Sequence, residues 1–161
     1  MAQFHFSSEI EKGLNQLLLA WCQRDAGDAA SAKGTAEQAR NTLEPLVQDN
    51  VPLSANLSLI YAVLGNKELA LKEANRAISL SPNAKDAVYG PTDDEMLALI
   101  QMMVGENSRA IPTLTRLLQT TYSSWLYGPT AITAAHLRLD PLWDPLRADP
   151  AFQKLCEERQ P

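Results

Sequence analysis

Most of the features by which a sequence announces chemistry are scarce in this chain. Of its 161 residues, two are cysteine and two are histidine, and aromatics make up 6%. Cys22 and Cys156 lie near opposite ends of the chain. Two such residues make no disulfide framework and read as reduced thiols of a cytoplasmic protein. Neither has a histidine at metal-ligand spacing, so no zinc site is expected. There is no glycine-rich phosphate loop and no Gly-x-Ser-x-Gly elbow, and no cofactor is expected. His5 sits near the chain start and His136 stands alone, which suits a packed or solvated ring better than a base. Positive charge is never clustered: 14 lysines and arginines are scattered against 19 acidic residues, for a net charge of -5. A nucleic-acid or anionic-membrane surface would need a basic stripe, so neither is expected as a partner. The longest apolar run, Leu17 to Cys22, falls far short of the ~18 residues that suggest a membrane span. The start, MAQFHFSSE, lacks the basic and then apolar order of a secretion signal.

What is present is helical periodicity in a chain of globular composition, 45% hydrophobic and 20% charged. In residues 54–82, Leu57, Ile60, Tyr61 and Leu64 recur at the spacing of one helical face. Ala70, Ala74, Ala77 and Ile78 mark a second such face, and Gly65-Asn66 between them reads as a left-handed corner followed by a helix cap. Pro82 closes the unit. Leu57, Tyr61, Gly65, Ala70, Ala77 and Pro82 together resemble a tetratricopeptide repeat, a helix-turn-helix unit of about 34 residues. Ser58, Lys67 and Ala74 depart from the residues usual in that family.

The same signature extends in both directions. Upstream, Ser8 and Glu11 fit a capping box, and Ile10, Leu14, Leu17, Leu18 and Trp21 form an apolar face. Gly27-Asp28 is a turn and cap. Ala29, Ala32, Ala36, Ala39 and Leu43 form a stripe of small residues suited to close helix packing, ended by Pro45. Downstream, Gly90-Pro91 signals a turn and Thr92 with Glu95 a second capping box. Met96, Leu97, Ile100, Met103 and Val104, a turn at Gly105, then Ala110, Ile111, Leu114, Leu117 and Leu118 make a further pair. Pro112 falls in or just beyond the first turn of its helix. A short helix is expected over 130–139. Asp140-Pro141, Asp144-Pro145 and Asp149-Pro150 each read as an aspartate cap with proline at the first helical position. Trp143, Leu146, Phe152 and Leu155 supply an apolar side. The run LRLDPLWDPLRADPAFQKL resembles the segment that closes the repeats of this family in large bacterial signalling proteins, which often carry a kinase, cyclase or winged-helix domain further upstream.

The expected fold is therefore all-α, a single domain over 1–161. It comprises a degenerate repeat at 8–49, repeats at 53–82 and 92–121, and a C-terminal cap at 129–157. The resemblance implies a right-handed superhelix of antiparallel helix pairs whose first helices line an inner wall. In that register the wall carries Leu17, Trp21 and Arg24, then Ala55, Leu59, Ala62 and Val63, then Glu95, Leu99, Met102 and Met103. Such a wall is apolar and adaptable. It suits a helix or extended peptide, unless the tail or a second copy (a homodimer) fills it. Asp93, Asp94 and Glu95 read as a helix N-terminus offsetting its dipole rather than as a metal site. The implied function is a non-catalytic scaffold or adaptor for protein-protein interaction, and no catalytic residue is expected. The alternative is a sensory or regulatory module of a larger bacterial signalling protein, recognising a small ligand or its own effector domain.

Overall fold

The computed structural model describes residues 2–47, 53–80 and 90–157, with side chains from Glu9 onward. The described residues form helices joined by turns and irregular stretches, with no strand; one isolated antiparallel bridge joins Ser124 and Gly128. The chain falls into two compact units, Met1–Leu80 and Ser81–Pro161.

The first unit holds α1 (Ala2–Asp25), α2 (Ala29–Leu43), α3 (Leu53–Val63) and α4 (Lys67–Leu80). α1 packs on α2 and α3 on α4, while α2 and α1 also lie against α3. Helix α1 starts well before the expected cap, so Ser8 lies inside it. Its buried side is Gly13, Leu17 and Ala20, whereas Leu18, expected inside, is exposed. The reason is the partner. α2 presents Ala32, Ala36, Ala39 and Leu43, all buried, and Leu43 reaches so close to the α1 backbone that a Cβ on Gly13 would overlap its Cγ and Cδ2. The Thr42 hydroxyl donates to Gln16 Oε1 across the same seam (3.0 Å). Pro45 ends α2, and Glu44–Leu46 form one tighter 3-10 turn. α4 repeats the small-residue seam with Ala70, Ala74 and Ala77, all buried. Pro82 lies outside the described residues.

The second unit holds α5 (Gly90–Met103), α6 (Asn107–Leu117), α7 (Ala134–Leu139) and α8 (Pro150–Glu157). Gly90-Pro91 opens α5 instead of forming a separate turn, and Thr92 therefore stands inside the helix and does not cap it. Pro112 falls past the first turn of α6, so the bond it would give to the residue four earlier is missing. α6 packs on α5, and α8 packs on α6 and α7. α7 begins later than expected, at a reciprocal cap: the His136 N–H donates to Thr133 Oγ1 (3.1 Å), and the Thr133 N–H donates to His136 Nδ1 (3.2 Å). Asp140 and Asp149 cap as read, accepting from the N–H of Leu142 (2.9 Å) and Ala151 (2.8 Å). Asp144 does not cap a helix. It lies within the 3-10 turn Pro141–Leu146 and pairs with Arg147. The Arg147 guanidinium also donates to the carbonyls of Arg138 and Asp140, tying three turns of the tail together. Trp143, Leu146, Phe152 and Leu155 are all buried, each contributing ~1.5 to 3 kcal/mol of burial.

One local device recurs three times. Gly27, Gly65 and Gly105 take φ of 82°, 77° and 79°, the left-handed region that glycine enters without a Cβ penalty. At each, the next residue's N–H returns to the carbonyl five earlier: Asp28 to Gln23 (2.9 Å), Asn66 to Tyr61 (2.8 Å), Glu106 to Gln101 (2.7 Å). The glycine N–H returns to the carbonyl three earlier: Arg24 (2.9 Å), Ala62 (3.1 Å), Met102 (3.1 Å). This double closure is the Schellman motif. Asp28 and Asn66 then cap the following helix through Ser31 N–H (3.0 Å) and Leu69 N–H (3.1 Å), and hydrogen bonding from Ser31 holds the Asp28 carboxyl below its ordinary pKa.

Two glycines of the first hairpin should respond oppositely to the same change. Gly34 on α2 has open space where a Cβ would sit, so Gly34→Ala should stabilise by ~1 kcal/mol through helix propensity. Gly13→Ala gains the same propensity but overpacks Leu43, and should lose ~1 to 3 kcal/mol. Chemical denaturation of both variants checks this; a stabilised Gly13→Ala would mean the seam yields.

Candidate functional site

The expected inner wall is largely interior. Leu59 and Leu99 are 0% exposed, Leu17 is equally enclosed, and Ala62, Val63 and Met102 are buried. Only Trp21, Arg24, Ala55 and Met103 are half-exposed. The physical reason is composition. α3, Leu53 to Val63, contains no charged residue, and a helix without a polar face has nothing to offer water. It is buried without interruption from Leu57 to Val63, Ser58 included, whose hydroxyl donates back to the Ala55 carbonyl (2.6 Å). α5 carries no charge after Glu95 and is buried likewise from Asp94 to Met102, except at Leu97. These residues are buried and offer little free surface. Of the first unit's expected wall residues, Trp21 and Arg24 on α1 and Ala55 on α3 keep partial exposure. Arg24 sits 3.7 Å from Asp25. On the far side of α3, the Tyr61 hydroxyl donates to Glu44 Oε1 (2.6 Å). Burial first, and then that bond, push its pKa up to about 12.

In the second unit the acidic run at the start of α5 divides into three different environments. Asp94 is buried and pairs with Arg116 on α6, 2.9 Å apart. Asp93 is half-buried; burial first, and the neighbouring Asp94 charge second, push its carboxyl up to about 6. Glu95, 1% exposed, turns onto the segment after α6 and accepts from the Ser124 hydroxyl (2.6 Å) and the Trp125 N–H (2.8 Å). Burial holds the Glu95 pKa above the ordinary value, partly offset by those bonds. One turn earlier on α5 the Thr92 hydroxyl donates to the Ser123 carbonyl (2.7 Å). Ser124 Oγ accepts in turn from the N–H of Leu126 (3.1 Å) and Tyr127 (2.9 Å), closing a small turn that Gly128 leaves at φ 73°. The residues expected to cap α5 thus hold a separate stretch of chain onto it.

That stretch is anchored at its far end by an aromatic cluster. The Tyr127 hydroxyl donates to Asp140 Oδ2 (2.9 Å) and accepts from the Trp143 indole N–H (3.0 Å). Its ring stacks on His136 at 3.9 Å and 11°. His136 is thereby a packing and capping residue, its Nδ1 already occupied by the Thr133 N–H. The Tyr127 and Tyr122 phenols are both pushed above the ordinary value, chiefly by burial. Sequence reasoning passed over Ser124, Tyr127 and Thr133. The signal for Thr133 was a capping residue three before His136, while Ser124 and Tyr127 act through contacts 29 and 13 residues away that no local pattern encodes.

Two clefts lie near this region. One, of about 470 Å³, lies beside the end of α6 and is lined by Tyr122, Thr130, Ile132 and Thr133 among others. The other, of about 240 Å³, is lined by Arg138, Arg147, Phe152 and Cys156, and burial there keeps the Cys156 thiol above its ordinary pKa. Cys22 is exposed on α1. Among the described residues no group of three or more His, Cys, Asp or Glu is placed to hold a metal ion, and no helix is long and apolar enough to cross a membrane. Comparisons with protein-family models, with curated proteins and with solved structures find no match to this chain.

Two tests follow from these environments. Leu59→Lys would place a charge at a site with no exposure, and should abolish cooperative unfolding of the first unit or cost several kcal/mol. Wild-type stability would return Leu59 to an accessible wall. Asp93 provides a pH test. Its folded pKa of about 6 exceeds the ordinary value of 3.8, so the folded state holds the proton more tightly and the ionised carboxylate disfavours folding. Stability contributed by Asp93 therefore rises as pH falls through 6 towards 4. Asp93→Asn should raise the melting temperature at about pH 7.5 and lose most of that advantage only by about pH 3.5, below the unfolded value. A pH-independent difference would refute the shift.

Proposed function

We propose that the chain is a tetratricopeptide-like helical module that holds another polypeptide and performs no chemistry of its own. The observation that carries this reading is the threefold recurrence of one corner, at Gly27, Gly65 and Gly105, with the same pair of backbone bonds each time. Each corner joins two helices, and at the first two the seam is of small residues, Ala32, Ala36 and Ala39 in one case and Ala70, Ala74 and Ala77 in the next. Repeated hairpins of this kind present a surface larger than any one unit and are suited to gripping a chain. The contact strip is Trp21 and Arg24 on α1 with Ala55 on α3. It combines a large aromatic surface, a guanidinium and a small residue that admits close approach. Tryptophan and arginine are the side chains most often responsible for binding energy in interfaces.

Affinity capture from the native host with the whole chain as bait, read by mass spectrometry, tests the reading. The control bait is the double variant Arg24→Glu with Ala55→Arg, confirmed by circular dichroism to be as helical as wild type. A polypeptide held by the wild type should be lost from the variant by tenfold or more, about 1.4 kcal/mol. A wild-type bait that enriches no polypeptide would overturn the module reading. A partner held equally by both baits would overturn the strip.

A further inference from the structure

Two cationic side chains meet at the cleft of about 240 Å³ beside α8, which Arg138, Arg147, Phe152, Cys156 and Glu157 help to line. Local structure brings them there. Arg138 lies in the last turn of α7, and Arg147 follows the 3-10 turn Pro141–Leu146. All three nitrogens of the Arg147 guanidinium are engaged, by Asp144 and by the carbonyls of Arg138 and Asp140. Those bonds fix the group and cover carbonyls at the end of α7, whose partial negative charge would repel an anion. Arg138 is different. Among the described residues its guanidinium makes one hydrogen bond, 3.4 Å to the Cys156 carbonyl, and pairs with no carboxylate. Its charge is thus unneutralised although Glu157 borders the same cleft. Both guanidiniums act on the Cys156 thiol, pulling its pKa down against the larger effect of burial. Phe152, 1% exposed, gives the cleft an apolar wall.

We propose that this cleft binds a small organic monoanion, a carboxylate carried on a compact apolar or aromatic body. The inference goes beyond the polypeptide reading and uses no residue of the strip on α1 and α3. Charge sets the valence. Arg147 already has a carboxylate beside it in Asp144, so one cation is left to match, and a doubly charged ligand would also meet Glu157. Donor geometry sets the head group. The forked N–H groups of Arg138 suit two coplanar oxygens, and the fixed Arg147 guanidinium adds its field without having to be ordered on binding. Volume sets the rest. The cleft has room for about eight waters, more than a bare carboxylate or an inorganic ion fills. Phe152 offers the remainder of a ligand an apolar surface, so a body that leaves water on entering gains by it.

The test is a heteronuclear NMR titration of the whole chain with benzoate, with benzamide as the neutral counterpart and inorganic phosphate as the bare anion. Benzoate should bind with a Kd of about 1 mM or tighter, shifting the amides of Phe152 to Glu157 and the Arg138 side-chain Nε–H. Benzamide and inorganic phosphate should each bind at least tenfold more weakly. Arg138→Gln keeps the main-chain carbonyl that Arg147 uses, and should weaken benzoate tenfold or more at unchanged helicity by circular dichroism. Glu157→Gln removes the like charge at the rim and should strengthen benzoate by about two- to fivefold. The site is overturned by the absence of a saturable shift along α8, by equal affinity for benzoate and benzamide, or by an Arg138→Gln variant that binds as wild type does. Inorganic phosphate held as tightly as benzoate at the same amides overturns the apolar body. Should Arg138→Gln not fold, an unchanged benzoate affinity in Glu157→Gln overturns the placement.

Discussion

Close approach of helix backbones is the constraint on which the hairpins depend. In the first unit the contact is made by side chains of one carbon, Ala32, Ala36 and Ala39 on α2 and Ala70, Ala74 and Ala77 on α4, all buried. Gly13 carries the principle to its limit, since Leu43 fills the volume its side chain would need. Helices this close leave little freedom in the connection between them. The corner must reverse the chain within two residues and still satisfy the last carbonyls of the first helix. A left-handed glycine with its two returning N–H bonds does both, which is why Gly27, Gly65 and Gly105 share one conformation while the residues around them differ. In the second unit the seam is built from larger residues, Ala110 with Ile111, Leu114 and Leu117, and the same corner still serves.

How much of this could be read in advance follows from the range of each interaction. Corners, caps and seams are local, so Gly65 with Asn66, Asp28, Asp140 and the alanine stripes were legible from spacing alone. Failures arise where a local signal competes with a distant partner. Thr92 and Glu95 have the spacing of a capping box, but the helix starts two residues earlier at Gly90, which frees both side chains for Ser123 to Trp125. Ser8 is overrun in the same way, because helix propensity continues upstream of it. Leu18 shows a third kind of failure. Helical spacing marks it as apolar-face, but the width of that face is set by the partner helix, and α2 is too slender to cover it.

The inner wall failed for a reason that the sequence did contain. A repeat register assigns positions to a wall by analogy, whereas burial is decided by what a helix has to show to water. α3 carries no charge, and α5 carries none beyond Glu95. Charge content along each helix was therefore a better guide to exposure than register. The same criterion separates α1, which holds Glu11, Lys12, Arg24 and Asp25 and keeps an accessible side, from the two helices that follow it in register.

The tail shows how a buried carboxylate can organise irregular chain. Residues 118–133 have almost no secondary structure to satisfy their polar groups, yet buried backbone groups must find partners. Glu95 supplies two acceptor oxygens in one rigid place, and Ser124 relays the effect to Leu126 and Tyr127. Tyr127 passes it on to Asp140, whose other oxygen caps the turn that seats Trp143, and the Trp143 indole returns to the Tyr127 hydroxyl. A glutamine at position 95 would keep only one acceptor oxygen and present an amide N–H₂ in place of the other, so the two bonds could not both be accepted as they now are. The charge is costly where it lies, as the upward pKa shift records. Its burial is thus explained by the arrangement it imposes and not by any stability it adds.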